Sequence, residues 1–228
     1  MESKRNFRDR LIPGYARLPL LVALLWNCAV YFGSRLLTGN RLHRDLSTAI
    51  DRKIPFLPWT AAIYLGCYGF WVVNYLLAAR QSKKHAYRFL SAEFLAKTVC
   101  LLCFVALPTT NRRPPVPPHG FWNRVMALIY RMDSPTNLFP SIHCLASWFS
   151  YLGVRKQKGV PRWYRGFSLL FAFAVFAVTL TTKQHVFVDV LGGVAIASCA
   201  WRLTVSTGFQ NLYGRIFDRL RKRKEKIK

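Results

Sequence analysis

Apolar residues run along this chain in six long stretches, and the charged residues gather between them. The stretches cover about Leu18–Leu37, Leu57–Ala79, Phe89–Leu107, Ser141–Val154, Phe167–Thr182 and Val186–Val205. They are apolar all round rather than along one face, so each predicts a helix wrapped in lipid or protein. Most approach the roughly 20 residues that cross a bilayer core at about 1.5 Å per residue. The fourth is short, and crosses only if it starts slightly inside the membrane or continues past Arg155. A soluble core of 228 residues cannot hide so many two-sided apolar helices. The expected fold is therefore all-α: a polytopic membrane protein, a bundle of six transmembrane helices. The first stretch reads as a retained span. A long basic flank precedes its long apolar run, and no small-residue cleavage site follows cleanly.

Composition sharpens this picture. The chain is 52% hydrophobic and 15% aromatic, yet has 34 Lys and Arg against 9 Asp and Glu, a net charge of +25. So apolar a chain is not disordered. Its long uncharged runs, and a basic tail without any accompanying binding motif, argue against nucleic acid as a partner. The six cysteines, Cys28, Cys67, Cys100, Cys103, Cys144 and Cys199, all fall in apolar stretches and read as small helix residues. Cys100-Leu-Leu-Cys103 has half-site spacing but lacks a second metal pair. Trp59, Trp71, Trp163 and Trp201 lie near stretch ends, as interfacial belts do.

The charge is unevenly divided. Of the Lys and Arg, 22 fall in the N-terminus, the 80–88 and 155–165 loops and the tail after Ser206; 9 fall on the other side. The positive-inside rule then predicts both termini in the cytoplasm. Residues 1–17 are expected as a cytoplasmic basic segment, 18–207 as the six-helix domain, and 208–228 as a solvated basic tail. That tail would be drawn to anionic lipids at the cytoplasmic face.

Ionisable groups inside spans are costly and raise a functional question wherever they occur. Glu93 and Lys97 stand four apart on the third stretch and predict a pair on one helical face. Asp189 stands four after His185, so on a helix its carboxylate would fix the imidazole tautomer and raise the basicity of the other nitrogen. In Asn137-Leu-Phe-Pro-Ser-Ile-His143, Pro140 suits a first helical turn, leaving Ser141 and the following N–H groups as an anion site with His143 beside them. Arg112 and Arg113, after the third stretch, have the fork geometry that matches phosphate oxygens. Taken singly, each group could be a cap, a packed polar pair or solvated loop arginines.

Topology brings them together, since all three constellations, with Lys183, fall at the outer ends of their stretches. There are too few carboxylates for magnesium and no third His or Cys at ligand spacing, so no metal or other cofactor is expected. Two histidines among cations can perform metal-free phosphoryl transfer. One attacks phosphorus and the other protonates the departing oxygen.

In these residues the chain resembles the type-two phosphatidic acid phosphatase superfamily. Its relatives include the inositol phosphorylceramide and sphingomyelin synthases and the vanadium haloperoxidases. The family motifs are Lys-x6-Arg-Pro, Pro-Ser-Gly-His and Ser-Arg-x5-His-x3-Asp. Arg113-Pro114 matches the end of the first. Pro140, Ser141 and His143 match the second, with Ile142 in place of glycine, and His185 and Asp189 match the end of the third. The resemblance runs from about Lys97 to Gly193. It implies His185 as nucleophile forming a phosphohistidine, Asp189 as its orienting group and His143 as proton donor. It implies Ser141 and Arg113 as phosphate ligands. The family lysine would fall at Ala106 and the Ser-Arg pair at Val178-Thr179, leaving Arg112 and Lys183 as the nearest substitute cations. Lys183 can serve only if Thr181 to Gln184 is a loop. Loss of the Ser-Arg pair is similar to the phosphosphingolipid synthase branch.

The expected function is metal-independent hydrolysis of a phosphorylated lipid at the extracytoplasmic surface of the plasma membrane. The alternatives are a phosphotransferase with a lipid or polyol acceptor, a non-catalytic lipid-binding or lipid-flipping protein, and a small transporter or channel. A homo-oligomer is left open.

Overall fold

The structure is a computed structural model and describes residues 11–226. The basic residues Lys4, Arg5, Arg8 and Arg10, and Lys228 of the tail, lie outside the described residues. The helices are α1 (Gly14–Thr38), α2 (Ala49–Lys53), α3 (Ala61–Gln81), α4 (Lys83–Ala106), α5 (Phe121–Met132), α6 (Ile142–Val154), α7 (Arg162–Thr181), α8 (Phe187–Ser206) and α9 (Phe209–Lys226). A 3-10 turn, Pro58–Thr60, leads into α3. Two short strands, β1 (Arg44–Asp45) and β2 (Thr109–Thr110), pair in parallel and tie the loop after α1 to the loop after α4.

Five helical segments are long and apolar enough to cross a membrane: Gly14–Thr38, Pro58–Gln81, Lys83–Ala106, Arg162–Thr181 and Phe187–Ser206. They leave large apolar side chains outward, among them Leu21, Leu24, Phe32, Leu36, Val72, Leu102, Leu170 and Leu191. In water such a surface would be a liability; in a bilayer it is the ordinary outer face. The chain is thus an all-α polytopic membrane protein. The fourth apolar stretch forms α6, which has only 13 residues. It sits at the centre, in contact with α3, α4, α7 and α8. A helix enclosed by protein need not match the bilayer thickness, because its ends meet loops rather than lipid.

The segment after Ser206, expected as a solvated tail, instead holds α9. Tyr213 and Phe217 of α9 are buried in the main core with Tyr87 and Phe94 of α4, and Tyr87 Oη donates to Asp218 at 2.8 Å. Lys83 pairs with the same carboxylate at 2.8 Å. Arg219, Arg221 and Arg223 are exposed, as are Leu212, Ile216 and Leu220. The four tryptophans expected in interfacial belts differ in their surroundings. Trp59 and Trp163 face outward, but Trp201 is buried beneath the Arg88 guanidinium, 4.3 Å from its ring centroid. The indole of Trp71 turns inward to donate to Ser147 Oγ at 2.8 Å.

The end of the bundle that carries the sequence-predicted chemistry is roofed by loops. Asp51, the third residue of α2, organises them. Its Oδ2 accepts from the Thr48 amide at 2.8 Å and hydroxyl at 2.6 Å, closing a capping box, while its Oδ1 accepts from the Phe187 amide at the start of α8, 2.7 Å away. The Lys183 ammonium donates to the carbonyls of Asp51 at 2.9 Å and Ile54 at 2.5 Å. On the far side of this roof, Asn137 and Thr38 bond side chain to side chain at 2.8 Å.

Two contacts here are testable. A Cβ on Gly193 of α8 would stand 2.5 Å from the Ser141 carbonyl oxygen, which is backbone and cannot swing aside. Gly193→Ala should therefore lower the thermal unfolding midpoint in detergent, by a strain of about 1–3 kcal/mol. Gly69→Ala, with nothing within 4 Å, should not lower it. For Asp51, burial raises the carboxyl pKa, but the Thr48 and Phe187 donors outweigh it and leave the value below the ordinary 3.8. A depressed pKa contributes stability that is complete above 3.8 and lost as pH falls through the lowered value. Asp51→Asn should thus melt lower than the native chain at neutral pH, by about 1–3 kcal/mol. The gap should close on acidification, and a constant gap would contradict the assignment.

Candidate functional site

The site begins with two helix starts. The first N–H groups of a helix have no intrahelical partner. At α6, Ser141 is the N-cap, and its Oγ accepts from the Cys144 amide at 3.3 Å. Pro140 therefore lies just outside the helix rather than in its first turn, where the sequence pattern puts it. At α8 the N-cap is Val186, whose amide donates to Asp189 Oδ2 at 3.0 Å. The two starts are joined, because the Ser141 amide donates to the Asp189 carbonyl at 3.0 Å.

His185 precedes the N-cap of α8, in the turn that follows Thr181. The expectation that His185 and Asp189 share a helical face is thus replaced by a capping turn, which brings His185 Nδ1 to 3.2 Å from Asp189 Oδ2. An ionised carboxylate only accepts, so Nδ1 carries the proton and Nε2 is left with its lone pair outward. Both residues are buried.

His143, in the first turn of α6, faces His185 with ring centroids 5.7 Å apart. Its ring is stacked on Tyr64 at 4.7 Å and flanked by Trp71 at 5.4 Å, and its Nε2 is 3.4 Å from Tyr68 Oη. These three aromatic residues come from successive turns of α3 and restrict the imidazole to one orientation.

Of the four candidate phosphate ligands, Arg113 is held most tightly. Its guanidinium donates to the Asp133 carbonyl and, at 2.7 Å, to Gln184 Oε1, and lies 4.6 Å from the Tyr130 ring centroid. Burial pushes its pKa below the usual guanidinium range while the Asp133 carboxylate opposes that shift. Its Nε, and the Nε2 of buried Gln184, have no protein partner. Arg112 is exposed at the rim. Lys183 does stand in a loop, with φ 53°, but its ammonium is occupied by the two carbonyls of the roof. Ser141 is fully buried and its hydroxyl serves the α6 cap.

Two cavities meet at His185. One, of about 670 Å³, is polar and is lined by Asp51, Arg52, Arg112, Arg113, Lys183 and His185 among others. The other, of about 470 Å³, is apolar, runs between α1 and α3, and reaches both His143 and His185. The arrangement can present an imidazole lone pair to an electrophile, deliver a proton from a second imidazole, and hold an anion on one side of an apolar group. Among the described residues, no three His, Cys, Asp or Glu side chains converge as a metal ion would require.

Glu93 and Lys97 pair at 3.8 Å, both 2% exposed. Lys97 also donates to Asn27 Oδ1, and Tyr75 Oη donates to Glu93 Oε1 at 3.5 Å. This cluster joins α1, α3 and α4, and its Glu93–Lys97 pairing is the one that the spacing of the two charges predicts.

Sequence reading missed Asp51, Gln184 and the α3 aromatics. Thr48-x-x-Asp51 carries a legible capping signature. Gln184, adjacent to His185, and the aromatics at 64, 68 and 71 look like ordinary span residues until α6 is packed against them.

A family model described as PAP2 superfamily matches residues 40–203. No curated protein and no solved structure matches the chain. The matched segment holds the site ends of the second to sixth apolar stretches, both histidines, Asp189 and the Arg112–Arg113 loop, and it covers well over half of the sequence. The chain belongs to the PAP2 superfamily, whose members carry out phosphatase-type phosphoryl transfer.

Proposed function

We propose that the protein hydrolyses a membrane lipid phosphate through a covalent phosphohistidine. The observation that carries this reading is the pair of imidazoles, 5.7 Å apart, at the junction of a cationic cavity and an apolar cleft. The lipid tail occupies the cleft between α1 and α3, and the phosphate sits between the rings. His185 Nε2 attacks phosphorus, forming the N–P bond as the lipid P–O bond breaks. His143 Nε2 gives its proton to the departing alkoxide, which leaves as the alcohol. Water, deprotonated by His143, then attacks phosphorus, releasing phosphate and restoring His185. Asp189 holds the tautomer and stabilises the imidazolium character that develops as Nε2 bonds to phosphorus.

Arg113 is the main ligand for phosphate oxygens, supported by its unpartnered Nε and that of the Gln184 amide. Arg112 reaches in from the rim. Ser141 acts through the α6 cap, and Lys183 chiefly by fixing the turn that carries His185. The site faces the extracytoplasmic side of the plasma membrane, with both termini and the α9 arginines on the anionic cytoplasmic face.

The polar cavity favours a second reading. At about 670 Å³, with Asp45, Asp51 and Asn111 among its walls, it exceeds what inorganic phosphate needs. It could seat a polyol hydroxyl as acceptor in place of water, making the enzyme a phosphotransferase of the phosphosphingolipid synthase kind.

Purified protein given a panel of lipid phosphates should release inorganic phosphate, and a polyol alcohol that diverts the phosphoryl group would establish the transferase. His185→Ala should abolish turnover with the fold intact. His143→Ala should cost about 10²–10⁴-fold in rate, as loss of a proton donor does. Labelled phosphate should remain bound to native protein quenched in alkaline detergent, where an N–P bond survives, but not to His185→Ala. EDTA should leave the rate unchanged. Full activity in His185→Ala would overturn the mechanism.

A further inference from the structure

α5 has 12 residues, too few to cross a bilayer at about 1.5 Å per residue. Its two sides have different surroundings. Met126 and Ile129 are buried against Ala61, Tyr64 and Val178, at the site ends of α3 and α7. On the adjoining side Phe121, Leu128 and Met132 are 69%, 56% and 73% exposed. At about 100° per residue these three fall in one narrow stripe, and exposed Arg124 and Arg131 run along one edge of it.

Three large apolar side chains in a row on a loop helix would be costly in water. The position of α5 gives them a different solvent. The helix packs where α3 begins and α7 ends, the level at which hydrocarbon gives way to headgroups, and its Ile129 and Met132 line the apolar cleft that reaches His143. A short helix with an apolar row and arginines along its edge has the pattern of one lying in the plane of a membrane surface. Arginine stems follow apolar surface while their guanidinium groups reach lipid phosphates.

We infer that α5 is an in-plane interfacial helix: Phe121, Leu128 and Met132 enter the acyl region of the leaflet at the site end, and Arg124 and Arg131 bind its lipid phosphates. Bilayer lipid then meets the cleft along the edge of α5, a consequence that rests on the lipid-phosphatase reading above.

The placement is tested without turnover. A nitroxide is attached at Leu128→Cys in full-length protein whose Cys28, Cys103 and Cys199 are changed to Ala. The protein is reconstituted in vesicles of phosphatidylcholine and phosphatidic acid. The label should collide with oxygen more readily than with a water-soluble nickel chelate. The reverse preference would put α5 in water and overturn the inference. Shielding from both reagents would place a second protein surface there and would also overturn it. The consequence is read in kinetics. Phe121→Glu with Leu128→Glu should raise KM for vesicle-borne lipid phosphate about tenfold, equivalent to about 1.4 kcal/mol. Turnover of a water-soluble short-chain phosphate ester should stay unchanged. Arg124→Gln with Arg131→Gln should act in the same sense more weakly. Equal losses on both substrates, or none on either, would remove the delivery role. Native protein with no turnover of any phosphate would instead count against the proposed chemistry and leave the collision result standing.

Discussion

Two helices start at the same buried place, and each must satisfy its first amides without water. In a membrane-embedded bundle an unpaired N–H costs several kcal/mol, on the order of the penalty for any amide taken from water into hydrocarbon. The Ser141 amide meets this demand at the Asp189 carbonyl, and the Val186 amide meets it at the Asp189 carboxylate. The same carboxylate oxygen holds His185. Gly193 lets the two backbones approach this closely. Given this joint, His143 and His185 have to face one another. The candidate site is thus a by-product of capping two buried helices against each other, and Asp189 both caps a helix and holds His185 with one side chain.

The roof follows from the same demand. Loops at this end lie over protein and cleft, so their polar groups bond to each other rather than to solvent. Asp51 takes three donors, and Lys183 closes on two carbonyls. The β1–β2 pairing secures the loops after α1 and α4. A roof tied at these points can hold Arg113 and the His185 turn in fixed relation to α6, which positioning a phosphoryl group demands. At the other end the fit is made with side chains on an added helix. α9 docks through Tyr213, Phe217 and Asp218, and keeps its arginines outside. The Glu93–Lys97 pair, within the bundle, joins three helices.

Much of this was legible in the sequence. The apolar stretches placed all six core helices to within a few residues, because a helix in lipid must be apolar on every side and that pattern is local. The spacing of Glu93 and Lys97 foretold their pairing for an equally local reason. Helices that are apolar on one side only escaped notice. α5 mixes Phe121, Leu128 and Met132 with Arg124 and Arg131, and α9 hides Tyr213 and Phe217 within a run of basic residues, so neither stands out as a span.

By itself the sequence determined that the chain is a membrane-embedded helical bundle of the PAP2 superfamily. It also singled out His143, His185, Asp189, Arg112 and Arg113 as the residues proposed for its chemistry. Tertiary structure alone decided how they meet. The His185–Asp189 contact comes from a capping turn instead of a helix face, Lys183 is turned into the roof, Gln184 joins Arg113, and Tyr64, Tyr68 and Trp71 enclose His143. The division has a simple physical cause. Hydrophobicity along a span is a property of neighbouring residues, whereas a hydrogen bond between two loops depends on where distant helices end.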